Sequence, residues 1–373
     1  MQKTEEDKKK TNCKFYVRRI LIDENVGEEL LPDWLGFIYL IIECNDVPLN
    51  ISREFVQTTK VMKTLKKMII KKVIELISSL VESEETSEKF LKEFSKTIKY
   101  GIYIDSEYRM KLLDLIKFDT HDGKMTLKDY VDKMKENQPG IYYLSNSDLE
   151  QCKKSPFNTR VLTKNYNIVY FNEGIDEFMI QSVNTYKDKK LIDISRENID
   201  LGQVADNSEE LIKDFEVVCK NMKDVLGDSI TKVQVSKSEL GDEIPCILTA
   251  SAYGWNNHME KLMKSQVMRD NQMNFMSGQK ILEINPKHEM IQQIKKLVEN
   301  DDKKMLNNLI RILYDTTCIG NGYDLNNPVE YMNKIYKILS LGMSGESINV
   351  EDEVVKEIVN ESNEESSIME TVD

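Results

Sequence analysis

The sequence predicts an α/β plus α+β chain: two layered α/β units joined by helices, then a mixed C-terminal unit that ends in a helix pair. Three observations predict it. Strand-like and helix-like runs alternate between residues 141 and 195 in the order βαβαβ. Apolar residues recur at helical spacing from Arg53 to about Val81 and again over 87–118. Two more helical runs, "DKKMLNNLIRILYDTTCI" and "NNPVEYMNKIYKILSLGM", flank Gly320-Asn321-Gly322.

The elements follow in order. "CKFYVRRILI" reads as one strand, "LPDWLGF" as a short helix with Pro32 in its first turn, and "IYLII" as the next strand. In the long helix Met62, Leu65, Ile69, Leu76 and Leu80 form the apolar face, and Lys60, Lys63, Lys67 and Lys71 a solvated one. "ESEETSE" breaks the helix. Residues 87–118 are helical, with Phe90, Phe94 and Ile98 on one face. "THDGK" is a turn, and "TLKDYVDKM" another helix. "IYYLS", "IVYF" and "KLIDIS" are strands, separated by the helices "SPFNTRVLTKN" and "DEFMIQSVNTY". Polar residues 197–208 mark a boundary.

Beyond it, "SEELIKDFEVVCKNMKDVL" is a helix capped by Gly227, and "SITKVQVS" and "PCILTAS" are strands. Met259, Met263 and Met268, extended by Met273 and Met276, make a methionine-rich helix, suited either to varied partners or to an ordinary core. Leu306, Leu309, Ile310 and Leu313 on one closing helix, with Tyr331, Ile335, Ile338 and Leu339 on the other, form broad apolar stripes. Two helices bury such stripes poorly, so a homodimer with a four-helix bundle is expected. From Glu351 onward the chain is acidic and aperiodic, and reads as disordered.

Composition excludes several classes. The 373 residues are 40% hydrophobic and 31% charged, enough for a sizeable core, and the net charge of -13 argues against nucleic acid as a partner. The longest apolar run, "GFIYLII", is far short of the roughly 20 residues of a membrane span, and the polar N-terminus lacks a signal-peptide core. A cytoplasmic chain without membrane contact is expected. Six scattered cysteines without a C-x-x-C pair suit a reducing compartment, and three distant histidines give no metal-ligand spacing. No glycine-rich phosphate loop and no G-x-S-x-G is present.

"VPLNISREFVQTTK" raises a question of its own. Asn50 and Ser52 are good helix caps, so Arg53 falls in the first turn. A cation there is unfavourable by roughly 0.3–1 kcal/mol. A helix N-terminus with a guanidinium is also an anion receptor. A surface arginine paired with Glu54 or Asp46 is the plainer alternative.

"YVRRILI", "LPDWLGFI", "VPLNISRE", "FSKTIKYGIYIDS", "LKDYVDKMKENQPGIYYLS", "KSPF", "YGWNNHMEKLMKSQVMRD", "LEINPKH" and "METVD" occur in the order of the heat-shock protein 90 chaperones. From residue 14 to 373 the chain resembles the middle and C-terminal domains of that family. The resemblance implies a disordered tail at 1–13, a partial first α/β part of the middle domain with the catalytic loop at 14–84, and a helical connector at 85–135. It further implies a small α/β part at 136–200, a C-terminal dimerisation domain at 201–345 and an acidic tail at 346–373. It makes Arg53 the γ-phosphate-sensing arginine, supported by Asn50, Ser52 and Gln57. ATP and Mg are then expected only through an N-terminal ATP-binding module absent from this chain, which binds neither alone. Trp34, Trp255, Met259, Met263, Met268, Met273 and Met276 become client-binding candidates. The ending Met369, Glu370, Val372 and Asp373, with Thr371 where the family has glutamate, resembles the peptide that tetratricopeptide-repeat cochaperones bind. The chain is thus expected to bind partly folded clients, or alternatively to act as a dimeric adaptor without ATP turnover.

Overall fold

The computed structural model describes residues 13–23, 30–44, 59–202, 208–251, 254–265, 279–299, 303–325 and 327–344. Two compact units emerge. One comprises Met1–Lys153 and Asn165–Asp193, the other Lys154–Lys164 and Ile194–Asp373. Both mix helices with sheets of mixed strand direction.

The first unit opens with a three-stranded sheet, in order β2-β1-β3, from β1 (Cys13–Val17), β2 (Ile20–Asp23) and β3 (Leu40–Glu43). The single strand expected over "CKFYVRRILI" is therefore a hairpin, with Val17 opposite Ile20. Arg18 and Arg19 both take positive φ, 50° and 67°, which is how a two-residue turn follows the twist of its strands. Glycine or asparagine normally signals such a turn, and neither is present. "LPDWLGF" forms one 3-10 turn, Asp33–Leu35, with Pro32 preceding it as the cap.

The helix Thr59–Glu82 packs differently from expectation. Its first half sets Met62, Leu65 and Ile69 against Phe15, Val17 and Leu30. Its second half buries Ile70, Val73, Ile74 and Ile77, while Leu76 and Leu80 are exposed. Both apolar sets satisfy a helical period, and the neighbours decide which is buried. The helix Glu84–Ile104 follows after Ser83, and brings Ile98 and Ile102 into the same core as Trp34. Buried Lys99 ties it to the helix Gly174–Ser182, 2.7 Å from Asp176 and 2.8 Å from Glu173. Burial alone would lower the Lys99 pKa, but the two carboxylates outweigh it and raise it.

The helical reading of 87–118 runs too far. Lys117–Thr120 is a strand, β4, hairpinned to β5 (Gly123–Thr126). Residues 117–120, "KFDT", alternate half-buried and buried with Phe118 their one apolar side chain, so the sequence pattern is weak and sheet pairing settles the element. With β6 (Gly140–Ser145), β7 (Ile168–Phe171), β8 (Thr185–Tyr186) and β9 (Lys189–Asp193), these strands form a six-stranded sheet in the order β5-β4-β7-β6-β9-β8. Its centre, β7-β6-β9, is parallel, as the alternation predicts.

The second unit contains the helix Phe157–Leu162, capped by Pro156 rather than Ser155. It also contains a sheet of β10 (Lys232–Val235), β11 (Cys246–Ala250) and β12 (Lys280–Ile284), ordered β10-β12-β11. The central strand β12 and the helix Glu289–Glu299 have no counterpart in the sequence reading. Helices Glu216–Leu226, Glu289–Glu299 and Lys303–Gly320 close the core over this sheet. No helix among the described residues is long and apolar enough to cross a membrane.

Candidate functional site

Arg53, Asn50, Ser52 and Gln57 lie outside the described residues, as do Met268, Met273, Met276 and the ending Met369, Glu370, Val372 and Asp373. What flanks the arginine segment is described. On one side β3 ends at Glu43, and the Cys44 N–H donates to the Tyr16 carbonyl at 3.0 Å. On the other, Met62 anchors the start of the helix Thr59–Glu82 in the sheet core. That helix start is strongly basic. Lys63, Lys67, Lys71 and Lys72 are exposed and Lys66 half-buried. Lys67 pairs with Glu107 at 3.1 Å and Lys72 with Glu75 at 3.3 Å. The described first half of this helix therefore carries a positive field. An anion would find it favourable. No group of three or more His, Cys, Asp or Glu among the described residues is placed to hold a metal ion.

Trp34 sits in the core rather than on a surface. It is 0% exposed, its indole N–H donates to Asp105 at 3.2 Å, and its ring lies against Gly101. A Cβ at Gly101 would come within 2.8 Å of the ring. Trp255 and Met263 are half-buried and Met259 is buried. The residues that follow Trp255 have local work. The Asn256 side chain accepts from the Met259 N–H at 2.8 Å, capping the helix Asn257–Ser265. Asn257 donates to the Asn321 carbonyl at 2.8 Å, tying that helix to the end of Lys303–Gly320. Buried Glu260 faces Lys264 at 2.8 Å and Lys280 at 3.0 Å, and Lys280 also lies 4.3 Å from the Tyr323 ring centre. These charges line a cleft of about 530 Å³ with Arg311 and Asp315.

A buried ion pair that sequence reading missed organises the same unit. Arg160, 1% exposed, donates to Ser238 at 3.1 Å and to the carbonyls of Ile194 at 3.1 Å and Arg196 at 3.0 Å, and pairs with Glu283 at 3.4 Å. Glu283 also accepts from Ser236, Gln234 and Thr249. A glutamate in the middle of "KILEI" breaks the apolar pattern, which hid β12. Its partner lies over 120 residues away in sequence, with no local signal.

The closing helices divide the residues expected at a dimer contact. Leu306, Ile310 and Leu313 are buried in the chain's own core, and Leu309 is half-buried. Tyr331 and Ile335 are half-buried, while Ile338 and Leu339 are exposed. On the helix Pro328–Ser344, Val329, Met332, Tyr336 and Leu339 are 43–61% exposed and spaced by three and four residues, a heptad-like seam. Of these only Leu339 was expected from the sequence.

Comparison with known proteins completes the description. The family model described as Hsp90 protein matches residues 1–371. Heat shock protein 83 of Leishmania donovani is 36% identical over 352 residues, covering 91% of this chain and 76% of that protein. Heat shock protein 90-5, chloroplastic, of Arabidopsis thaliana is 35% identical over 373 residues, covering 98% of this chain and 48% of that protein. Heat shock protein 90-6, mitochondrial, of the same plant is 32% identical over 349 residues, covering 91% and 43%. The chain thus spans less than half of either plant relative. Their names overturn the expected cytoplasmic location, since they belong to organelle proteins.

Proposed function

The chain belongs to the Hsp90 protein family, and from that premise we propose that it is part of a molecular chaperone that binds partly folded client proteins. The observation that carries the proposal is the family match across 1–371, which includes the "VPLNISRE" segment. Residues 14–200 act as middle-domain parts and 201–345 as the dimerisation domain. Arg53 reaches the γ-phosphate of an ATP held, with its Mg, by a nucleotide-binding module outside these 373 residues. When bound, ATP supplies the phosphoryl group. The chain's part is to aim a guanidinium at the charge that develops there, with Asn50, Ser52 and Gln57 holding the segment in register. The basic start of the helix Thr59–Glu82 supports this reading, because it biases the neighbourhood toward anions.

Two copies associate through the seam on Pro328–Ser344, completing a four-helix bundle with the helix before it. The exposed Val329, Met332, Tyr336 and Leu339 support this, since a lone chain leaves them in water. Met369, Glu370, Val372 and Asp373 dock into tetratricopeptide-repeat cochaperones. The relatives' names support an organelle as the setting. A heat-unfolding reporter protein tests the chaperone reading. Light scattering should fall in the presence of the full chain, and unchanged aggregation contradicts client binding.

A further inference from the structure

Asn321-Gly322 closes the helix Lys303–Gly320 and is the one Asn-Gly step in the sequence. Asparagine before glycine carries a chemistry of its own. The glycine nitrogen can attack the asparagine side-chain amide, and glycine has no side chain to stand in the way. In this fold both reacting groups are tied. Gly322 takes a φ of 77°, and its N–H donates to the Ile319 carbonyl at 3.0 Å. The Tyr323 N–H donates to the Cys318 carbonyl at 2.9 Å, which completes a glycine-terminated helix end. Asn321 itself is 4% exposed. Its Oδ1 accepts from the Leu248 N–H of the edge strand β11 at 2.9 Å, and its Nδ2 donates to the Thr317 carbonyl at 2.9 Å. Its own carbonyl accepts from Asn257 at 2.8 Å. One asparagine thus joins a strand and two helices of the second unit.

We propose that Asn321 is a deamidation site gated by the packing of the second unit. The site is closed while these bonds hold, and it opens when the helix Asn257–Ser265 releases the Asn321 carbonyl. In the open state the Gly322 nitrogen bonds to Asn321 Cγ and gives up its proton, and the Cγ–Nδ2 bond breaks to release ammonia. Water then opens the five-membered imide at either carbonyl and leaves aspartate or β-aspartate. The sum is amide plus water to acid plus ammonia. Neither product rebuilds the junction. Aspartate sets a charged acceptor oxygen against the Thr317 carbonyl, where the amide donated. β-Aspartate lengthens the main chain by a methylene and shifts the carbonyl that Asn257 holds. The reaction therefore makes an opening permanent and loosens the helix that carries Met259 and Met263. This goes beyond the proposed function, which gives Asn321 no role.

Peptide mapping by mass spectrometry of the full chain, held in mildly alkaline buffer, tests the proposal. A synthetic peptide of residues 316–325 is the ungated reference. The folded chain should deamidate at Asn321 on the order of 100-fold more slowly than the peptide, because two buried side-chain bonds, each worth close to tenfold in population, must open first. Asn257→Leu should raise the folded chain's rate about fivefold to tenfold. Asn257 Oδ1 accepts no hydrogen bond among the described residues, so the variant loses only the donated one. Asn257→Ala is measured beside it, so that overpacking cannot decide the result. Asn321→Asp installs one product directly and should lower the urea midpoint of the second unit, read by Trp255 in a chain that also carries Trp34→Phe. Equal rates in the folded chain and the peptide, rates unchanged in both Asn257 variants, or an unchanged midpoint in Asn321→Asp overturn the proposal.

Discussion

Replacing Arg160 by methionine removes the cation from the most enclosed ion pair among the described residues of the second unit. Four donations disappear: to Ser238, to the carbonyls of Ile194 and Arg196, and to Glu283. Glu283 stays behind at 1% exposure with no countercharge. Breaking a buried pair in this way costs about 3–5 kcal/mol. Here the lower end applies, because Ser236, Gln234 and Thr249 still donate to the carboxylate and the Arg160–Glu283 contact is long, at 3.4 Å. Pairing Arg160→Met with Glu283→Gln removes the stranded charge and should recover part of the loss, the sign of direct coupling. Two tryptophans make the assay clean, one in each unit. In a Trp34→Phe background, urea unfolding followed by Trp255 fluorescence should show the second unit destabilised by about 3 kcal/mol. A shift below about 1 kcal/mol, or no recovery in the double variant, refutes the reasoning.

Three further outcomes follow from the packing. Gly101→Ala should destabilise the first unit by about 1–3 kcal/mol despite its helix-propensity gain, because the new methyl meets the enclosed Trp34 ring; equilibrium unfolding followed by Trp34 reads it. Burial pushes the Cys246 thiol up to about 12 and the Cys318 thiol up to about 11. Both folded values exceed the unfolded one, so their contribution is intact below about pH 9 and is lost as the pH rises toward 11–12. Cys246→Val should shift the alkaline unfolding midpoint, followed by circular dichroism, to higher pH. Leu339→Glu, at an exposed seam position, should give folded monomers by sedimentation; folded dimers would move the contact elsewhere. Leu313→Glu cannot make that distinction, since Leu313 belongs to the core.

Periodicity made much of the fold legible. The alternating runs of the parallel sheet and the long helices could be read because each carries many residues in phase. What escaped depends on partners distant in sequence. Nothing local tells "YVRRILI" to turn at Arg18 and Arg19, and β12 hides behind Glu283 until Arg160 is seen beside it. Leu76 and Leu80 look as good as Ile74 and Ile77 until the neighbouring helix chooses. Trp34 reads equally well as a surface aromatic, and only Gly101, 67 positions on, makes room for it in the core. The family was legible in its ordered motifs, whereas the candidate site residues were read from motif alone. "LNISRE" was recognisable from its order of residues, while the packed face of the helix that follows it was settled by neighbours distant in sequence.

The account turns on Arg53 acting across polypeptide segments. Single-turnover ATP hydrolysis by a matched nucleotide-binding module, with and without the chain, measures this directly. Adding the chain should accelerate hydrolysis, and Arg53→Ala should abolish most of the gain, on the order of 10³-fold, while nucleotide affinity stays the same. Acceleration that survives Arg53→Ala, or hydrolysis by the chain alone, would contradict it.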